Sequence, residues 1–209
     1  MGRRFSGFVW QICGPILLVM NKNFVEQESF EKLDFPITGF EKGEYESCTF
    51  HSCNFSEVDL TRIVFVDCQF VDCNLSLVKT TNLVLRRVQF KGCKMLGFHF
   101  EHCNGLLLSV GFEKCMLNLS TFYRLPLKKT KFVDCALQEV DFTECDLTDS
   151  KFDGCDLSMA IFRSTNLEKA DFRSSYNYAI DPGFNTIKKA KFSLSGLPGL
   201  LDQYDLEIE

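Results

Sequence analysis

A large apolar residue recurs every five positions along most of this chain of 209 residues. We call this series the ladder. Its first register comprises Phe40, Tyr45, Phe50, Phe55, Leu60, Phe65, Phe70, Leu75, Leu85, Phe90, Met95 and Phe100, and its second comprises Phe112, Leu117, Phe122, Leu127, Phe132, Leu137, Phe142, Leu147, Phe152, Leu157, Phe162, Leu167 and Phe172. A period of five fits neither an amphipathic helix nor an alternating strand. It predicts a solenoid in which each five-residue unit forms one side of a square coil.

Residues 20 positions apart test the four-sided arrangement within the sequence itself. In the second register, the columns that begin at Phe112 and Phe122 contain only Phe, and those that begin at Leu117 and Leu127 contain only Leu. Neighbouring coils should lie about 4.8 Å apart, which is the ordinary spacing of paired strands. We therefore expect one continuous core of about seven coils, filled by the ladder and not divided into several domains.

Short motifs around the ladder resemble the pentapeptide-repeat family, whose consensus is a small residue, Asn or Asp, Leu or Phe, and two polar residues. Cys-Asn-Phe at 53–55, Cys-Asn-Leu at 73–75 and Cys-Asp-Leu at 145–147 and 155–157 match this consensus. The resemblance implies an all-β solenoid, a right-handed quadrilateral β-helix with four units per turn. We expect this β-helix to occupy residues 21–175.

Ten of the 11 cysteines lie two residues before a ladder position, if Gly105 is counted as a weak member. They are Cys48, Cys53, Cys68, Cys73, Cys93, Cys103, Cys115, Cys135, Cys145 and Cys155. Val58, Ser150 and Ala160 occupy equivalent slots, which indicates a small volume that tolerates apolar groups. We expect inward-facing, reduced thiols even where Cys53 and Cys73 stack, because in-register side chains seldom reach disulfide geometry. Such thiols favour a reducing, cytoplasmic location.

The ladder changes register between Phe100 and Phe112. These two members are 12 positions apart, two more than a multiple of five, so the segment 101–111 contains two extra residues. We expect this slip to bulge from one corner of a coil or to distort the coil, with Gly105 and Gly111 supplying the necessary backbone freedom. Interruptions of this kind leave the regular surface and can carry partner contacts. A tolerated insertion without any role is the alternative.

Polar side chains at the slip are candidates for partner contact, namely His99, His102 and Asn104. The two histidines and Cys103 are also residue types that bind zinc. A structural zinc site needs four ligands, however, and no nearby pair of cysteines completes this set. We also expect the histidines to face outward and Cys103 to face inward. The sequence therefore predicts neither a metal nor another cofactor.

The net charge of −5 disfavours direct binding to nucleic acid. Seven acids nevertheless cluster within one coil, and we call them the acidic belt: Glu139, Asp141, Glu144, Asp146, Asp149, Asp153 and Asp156. A negative rod with the spacing of stacked strands could imitate duplex DNA. Positions 20 residues from these acids include Arg124, Asn166 and Arg173, so the acids encircle one coil and do not form a stripe along the axis. Simple solubility is the alternative explanation.

Residues 1–20 do not follow the repeat. Their apolar run after Arg3 and Arg4 imitates a signal peptide, but it is too short to span a membrane and lacks a convincing cleavage site. Met1-Gly2 with Ser6 also matches a weak myristoylation pattern. The remaining interpretation is that the start of the gene is assigned too early and that the natural protein begins at Met20. The sequence therefore predicts no membrane association.

Residues 176–209 also depart from the repeat, with a short helix predicted at 197–204 and a strand through Leu206 and Ile208. This ending resembles that of Qnr-type and mycobacterial fluoroquinolone-resistance pentapeptide proteins, and the resemblance implies dimerisation. The expected contact residues are Leu200, Leu201, Tyr204, Leu206 and Ile208. A cap that covers the last coil without dimerisation is the alternative.

The sequence contains no phosphate-binding loop, no dinucleotide-binding glycine motif and no HExxH zinc motif. It therefore predicts a protein that is not an enzyme. The Qnr-type resemblance implies binding and protection of a type II topoisomerase, DNA gyrase or topoisomerase IV, by DNA mimicry. A structural or protein-interaction scaffold with another partner is the alternative, because one fold hosts many functions.

Overall fold

The computed structural model describes residues 23–204 and residue 206, so the predictions for residues 1–20 and Ile208 lie outside the described residues. The described chain forms a parallel β-solenoid of about seven turns, as the ladder predicts. Two of its sides are regular sheets. The strands are β1 (Asn23–Glu26), β2 (Ser29–Glu31), β3 (Gly43–Glu46), β4 (Thr49–His51), β5 (Val64–Val66), β6 (Gln69–Val71), β7 (Val84–Arg86), β8 (Val88–Lys91), β9 (Val110–Glu113), β10 (Lys131–Val133) and β11 (Lys151–Asp153).

Each strand pairs in parallel with the strand one coil away. From β1 to β8 that partner is the second strand along the chain, whereas β8, β9, β10 and β11 pair consecutively. One sheet has the order β1-β3-β5-β7, and the other has the order β11-β10-β9-β8-β6-β4-β2. The remaining two sides are held by isolated parallel bridges, such as Asn54 with Asn74 and Thr121 with Asp141. Short helical segments interrupt the described chain: one α-helical turn, α1 (Phe35–Thr38), and 3-10 turns at Phe100–His102, Gly105–Leu107, Leu194–Leu200 and Asp202–Tyr204.

The ladder fills the axis of the solenoid. Phe50 and Phe70 stack at a ring-centroid distance of 4.7 Å, and Phe132 and Phe152 stack at 4.9 Å. These distances match the spacing of paired strands, because each ring lies directly over the ring one coil below. All ladder members are buried except Phe40, which is half-buried at the first coil. The predicted core is therefore confirmed.

The corners depend on a left-handed backbone conformation that the sequence pattern does not predict. The second residue after a ladder position commonly has a positive φ, as at Asp134 (51°), Glu139 (57°) and Asp149 (58°). Such left-handed residues are uncommon outside glycine. Their repetition at one place in the unit shows that the corner itself requires this conformation. Gly92 and Gly154 occupy the same place with φ of 62° and 64°.

The ten cysteines predicted to face inward are buried and free. Six of them form a column along the axis, one per coil: Cys53, Cys73, Cys93, Cys115, Cys135 and Cys155. Their slot admits a hydrogen-bond donor as well as a small apolar group, and Cys73 Sγ donates there to the carbonyl of Phe50 at 3.3 Å. Ser150 Oγ makes the equivalent bond to the carbonyl of Leu127 at 2.7 Å. This shared donor explains why Cys, Ser and Thr interchange there.

Thiol labelling tests this arrangement. Burial raises the pKa of Cys68 and of Cys145 to about 12, which removes the reactive thiolate at neutral pH. We expect the ten inward cysteines to resist an alkylating reagent in the folded protein and to react after unfolding in denaturant. Rapid modification of most thiols before unfolding would contradict the inward assignment.

The register slip is accommodated by one coil of 22 residues, since Val88 pairs with Val110 and Phe90 with Phe112. The extra residues form the 3-10 turn Gly105–Leu107, which projects Leu106 into solvent with 96% of its side chain exposed. The slip therefore bulges from the coil, which is one of the two outcomes that the sequence leaves open. The half-buried Leu108 packs against the core at this level.

The predicted role of the two glycines at the slip is wrong. Neither Gly105 nor Gly111 has a positive φ, so neither uses the conformational freedom special to glycine. A Cβ at Gly111 would meet the end of the exposed Gln89 side chain on the adjacent strand, which would have to move aside. Thr80, the polar member of the ladder column, is buried and donates to the carbonyl of His99 at 2.7 Å.

The C-terminal region continues the solenoid beyond the boundary at residue 175 that the sequence suggests. Asn166 pairs with Thr186 and Asp171 pairs with Lys191, which adds most of another coil. The expected helix after this coil is a pair of 3-10 turns, and Leu206 is not part of a strand. Nowhere in the described part of the chain is there a helix long and apolar enough to cross a membrane.

Candidate partner-binding surface

The acidic belt encircles one coil. Along the axis, Asp141 lies between Thr121 and Ile161 in the bridge register, so its neighbours in the adjacent coils are uncharged. Asp146 likewise lies over Pro126 and under Asn166. The carboxylates therefore do not continue from coil to coil. This placement differs from a duplex, whose phosphates continue along the whole length of its axis.

Basic side chains from the preceding coil neutralise two members of the belt. Arg124 donates from Nε to Glu144 Oε2 at 2.6 Å and from Nη2 to Oε1 at 3.1 Å. This paired hydrogen bond lowers the pKa of Glu144. Lys128 Nζ lies 3.1 Å from Asp146 Oδ2. Both ion pairs are exposed and contribute little stability, but they remove negative charge from the surface.

Other members of the belt stabilise the corners of the coil. Asp141 Oδ1 accepts the backbone N–H of Thr143 at 2.8 Å, and Asp156 Oδ1 accepts that of Ser158 at 3.1 Å. The same two-residue turn occurs far from the belt, where Asp59 Oδ1 accepts the N–H of Thr61 at 2.9 Å. Carboxylates in such turns satisfy the backbone locally. Asp141 and Asp156 therefore have a structural role whether or not a partner binds.

Three acids of the belt remain as candidates for contact with a partner. Glu139 and Asp153 are exposed and Asp149 is half-buried. Glu139 and Asp149 form no ion pair with any residue in the described part of the chain, and Asp153 accepts one hydrogen bond from Ser174 Oγ at 3.2 Å. These three side chains belong to three different units of one coil, those of Leu137, Leu147 and Phe152, and therefore lie on three different sides of it.

The residues predicted at the slip lie on the outside of the coil that contains the bulge. His99 and His102 are exposed, and Asn104 is half-buried with its backbone N–H bonded to the carbonyl of Leu83 at 2.8 Å. The 3-10 turn Phe100–His102 brings the two imidazoles together, with ring centroids 5.1 Å apart and planes 12° from parallel. Side chains three residues apart eclipse in a 3-10 helix, which accounts for the stacking.

Glu101 is the functional candidate that sequence reasoning missed. Its Oε1 lies 2.8 Å from His99 Nδ1 and 3.7 Å from His102 Nε2. Cys103 points into the core and is buried, as its slot in the repeat predicts. The i, i+3 spacing of the histidines was the available signal, but it indicates a shared side only once the segment is known to be a 3-10 turn.

The residues predicted to form a dimer do not lie together in one exposed patch. Leu200 packs against the core, and Leu201 is half-buried. Tyr204 and Leu206 are exposed by 61% and 57%. Leu200 therefore caps the last coil, whereas Tyr204 and Leu206 remain available for a contact with a second chain.

Comparison with solved structures shows where this architecture occurs. A trypsin-treated form of QnrB1, a plasmid-mediated fluoroquinolone resistance protein, has a TM-score of 0.58 and 17% sequence identity. The match covers 90% of this chain and 98% of that chain. HetL, a pentapeptide repeat protein involved in heterocyst differentiation regulation from the cyanobacterium Nostoc sp. strain PCC 7120, has a TM-score of 0.51 and 16% identity, with coverage of 83% and 85%. At these identities the likeness shows the fold alone.

Comparison with curated protein sequences gave no match. Two family models match the sequence: pentapeptide repeats, in eight copies, over residues 46–79, and a pentapeptide repeat region over residues 106–176. The segment between these ranges, 80–105, contains Thr80 and the first five residues of the slip. Together the matched ranges cover half of the chain. The chain belongs to the pentapeptide-repeat family.

Proposed function

We propose that this protein is a non-enzymatic binding protein that contacts a type II topoisomerase, DNA gyrase or topoisomerase IV, and shields it from inhibitors. The observation that carries this proposal is the solenoid itself, which superposes on QnrB1 over nearly its whole length. Exposed carboxylates at Glu139 and Asp153 and the bulge at Leu106 supply the features that a protein partner would contact. DNA mimicry is the proposed mode of binding.

A scaffold with another partner is the second candidate, and one observation favours it. Glu144 and Asp146 are paired with cations, and Asp141 and Asp156 are engaged in corner turns. A surface compensated in this way presents less negative charge than the sequence suggests. DNA mimicry would then rest on the few carboxylates that remain free of an ion pair.

A supercoiling assay distinguishes the two candidates. DNA gyrase is incubated with ciprofloxacin and increasing amounts of the protein, and supercoiled product is quantified. We expect the protein to restore supercoiling, and the triple variant Glu139→Gln/Asp149→Asn/Asp153→Asn to restore less, because the mimic would lose three charges at its surface. Neither rescue nor inhibition, together with no capture of gyrase on immobilised protein, would leave the scaffold as the function.

The control for this assay carries the same charge change at another place. Glu26, Glu28 and Glu31 are exposed at the first coil, far from the acidic belt. We expect Glu26→Gln/Glu28→Gln/Glu31→Gln to rescue supercoiling as well as the unaltered protein does. An equal loss in both triple variants would mean that total charge matters and that the belt has no special role.

Dimerisation through the C-terminal end is proposed for the same protein. A two-fold contact would pair Tyr204 and Leu206 with their counterparts in a second chain. Sedimentation should show a dimer at micromolar concentration, and Tyr204→Ser/Leu206→Ser should shift it to monomer. Leu106→Ser, at a still more exposed apolar position on the bulge, should leave the dimer intact. A monomer for the unaltered chain would assign the C-terminal end to capping alone.

A further inference from the structure

The cluster formed by His99, Glu101 and His102 on the outside of the slip coil has no part in the proposed function. Each residue offers one ligand atom, and these atoms all lie within 4.8 Å of one another. We infer that this cluster is a binding site for a divalent transition metal ion, with zinc as the ion whose ligand preferences it matches. Neither the sequence pattern nor the fold comparison points to such a site.

The distances within the cluster are close to those that zinc requires. Imidazole nitrogen and carboxylate oxygen bind zinc at about 2.0–2.2 Å, which places tetrahedral ligand atoms about 3.3 Å apart. The separations from Glu101 Oε1 to His99 Nδ1 and His102 Nε2, 2.8 and 3.7 Å, lie on either side of that value. Small rotations of exposed imidazoles would therefore equalise them. The ion would take the place of the proton between His99 and Glu101.

The state of Glu101 independently indicates a missing cation. Only 19% of its side chain is exposed, and Oε2 is buried without a hydrogen-bond partner in the described part of the chain. A buried carboxylate oxygen that accepts no hydrogen bond costs free energy unless a cation compensates it. The other oxygen of this carboxylate, Oε1, faces the two imidazoles.

The surroundings leave the site open on one side. A groove borders the two imidazoles and is lined by Leu77, Lys79, Thr81 and Gly97, among others. Three protein ligands beside an open groove leave a fourth position for water or for a group from a binding partner. Thiolates are not available to complete the set, because Cys103 faces the core. The site is thus a two-histidine, one-carboxylate site with an exchangeable position.

Equilibrium dialysis against zinc chloride tests the inference, with a non-chelating phosphine present to keep the cysteines reduced. We expect one zinc ion per chain. His99→Ala and His102→Ala should each weaken binding at least about 10- to 100-fold, as even supporting residues do at metal sites, and Glu101→Gln should also weaken it. His51→Ala removes the one other histidine of the chain, which is exposed on β4, and should bind zinc like the unaltered protein.

Cobalt substitution checks which residues coordinate. Co²⁺ bound by imidazole and carboxylate should give visible ligand-field bands without a thiolate-to-cobalt charge-transfer band. Both histidine side chains are more than half exposed, so the alanine variants should keep their fold, which circular dichroism can verify. Absence of binding at 100 micromolar zinc, unchanged affinity in His99→Ala and His102→Ala, or a thiolate band would each overturn the inference.

Discussion

Phe132→Ala is expected to destabilise the protein by about 3–5 kcal/mol. Phe132 is fully buried on β10 and stacks between Phe112 at 5.2 Å and Phe152 at 4.9 Å. Its edge also contacts Phe122 and Phe142, each at a centroid distance of 5.9 Å. Truncation removes all four ring contacts and leaves a cavity, because the rings above and below are held at the strand spacing and cannot close over it.

Chemical denaturation followed by far-ultraviolet circular dichroism measures this effect. Thr143→Ala is the matched control, because Thr143 is half-buried and its side chain forms no hydrogen bond within residues 23–204. We expect that change to alter the free energy of unfolding by less than about 0.5 kcal/mol. Equal midpoints for Phe132→Ala and the unaltered protein would show that the axis is loosely packed.

Asn185→Leu is expected to have an effect of similar size, about 3–6 kcal/mol, through unsatisfied polar groups. The amide of Asn185 is buried and forms three hydrogen bonds. Its Nδ2 donates to the carbonyls of Phe162 at 3.0 Å and Asp181 at 2.9 Å, and its Oδ1 accepts the N–H of Thr165 at 2.9 Å. Leucine has a similar volume but no polar group, so these backbone groups would lose their partners without access to water.

Thermal unfolding is a suitable measurement for this variant, with Asn23→Leu as the control. Asn23 is exposed and donates one hydrogen bond to Glu41, so the same chemical change there should shift the midpoint little. A large fall of the unfolding midpoint in Asn185→Leu alone would show that this amide stabilises the last coil. Similar midpoints for both variants would show that the last coil contributes little to stability.

The histidine cluster shows how far the sequence leads at a site. Its residues lie within four positions of one another, and the sequence correctly indicates that His99 and His102 face outward. Cys103 is the third residue near the histidines whose type binds zinc, but its slot in the repeat faces the core. Glu101 replaces it because the 3-10 turn Phe100–His102 rotates the glutamate toward the imidazoles, and that local geometry follows from the packing of the slip.

The acidic belt shows a feature that the sequence does not reveal, namely which of its carboxylates are paired with cations. Composition alone identifies Glu144 and Asp146 as negative charges, whereas their neutralising partners Arg124 and Lys128 belong to the preceding coil. Such a pairing depends on which side chains of adjacent coils lie beside each other at the surface. The sequence therefore overestimates the negative charge that the belt presents.

The sequence by itself determined the period, the core and the inward position of the cysteines, because the same five-residue pattern must bury the same position in every unit. Only the tertiary structure decided the left-handed corners, the donor role of residues such as Cys73 and Ser150, and the outward bulge at Gly105–Leu107. These features depend on atoms that meet across adjacent coils, about 20 residues apart in the chain, and a short-range pattern does not specify how those atoms meet.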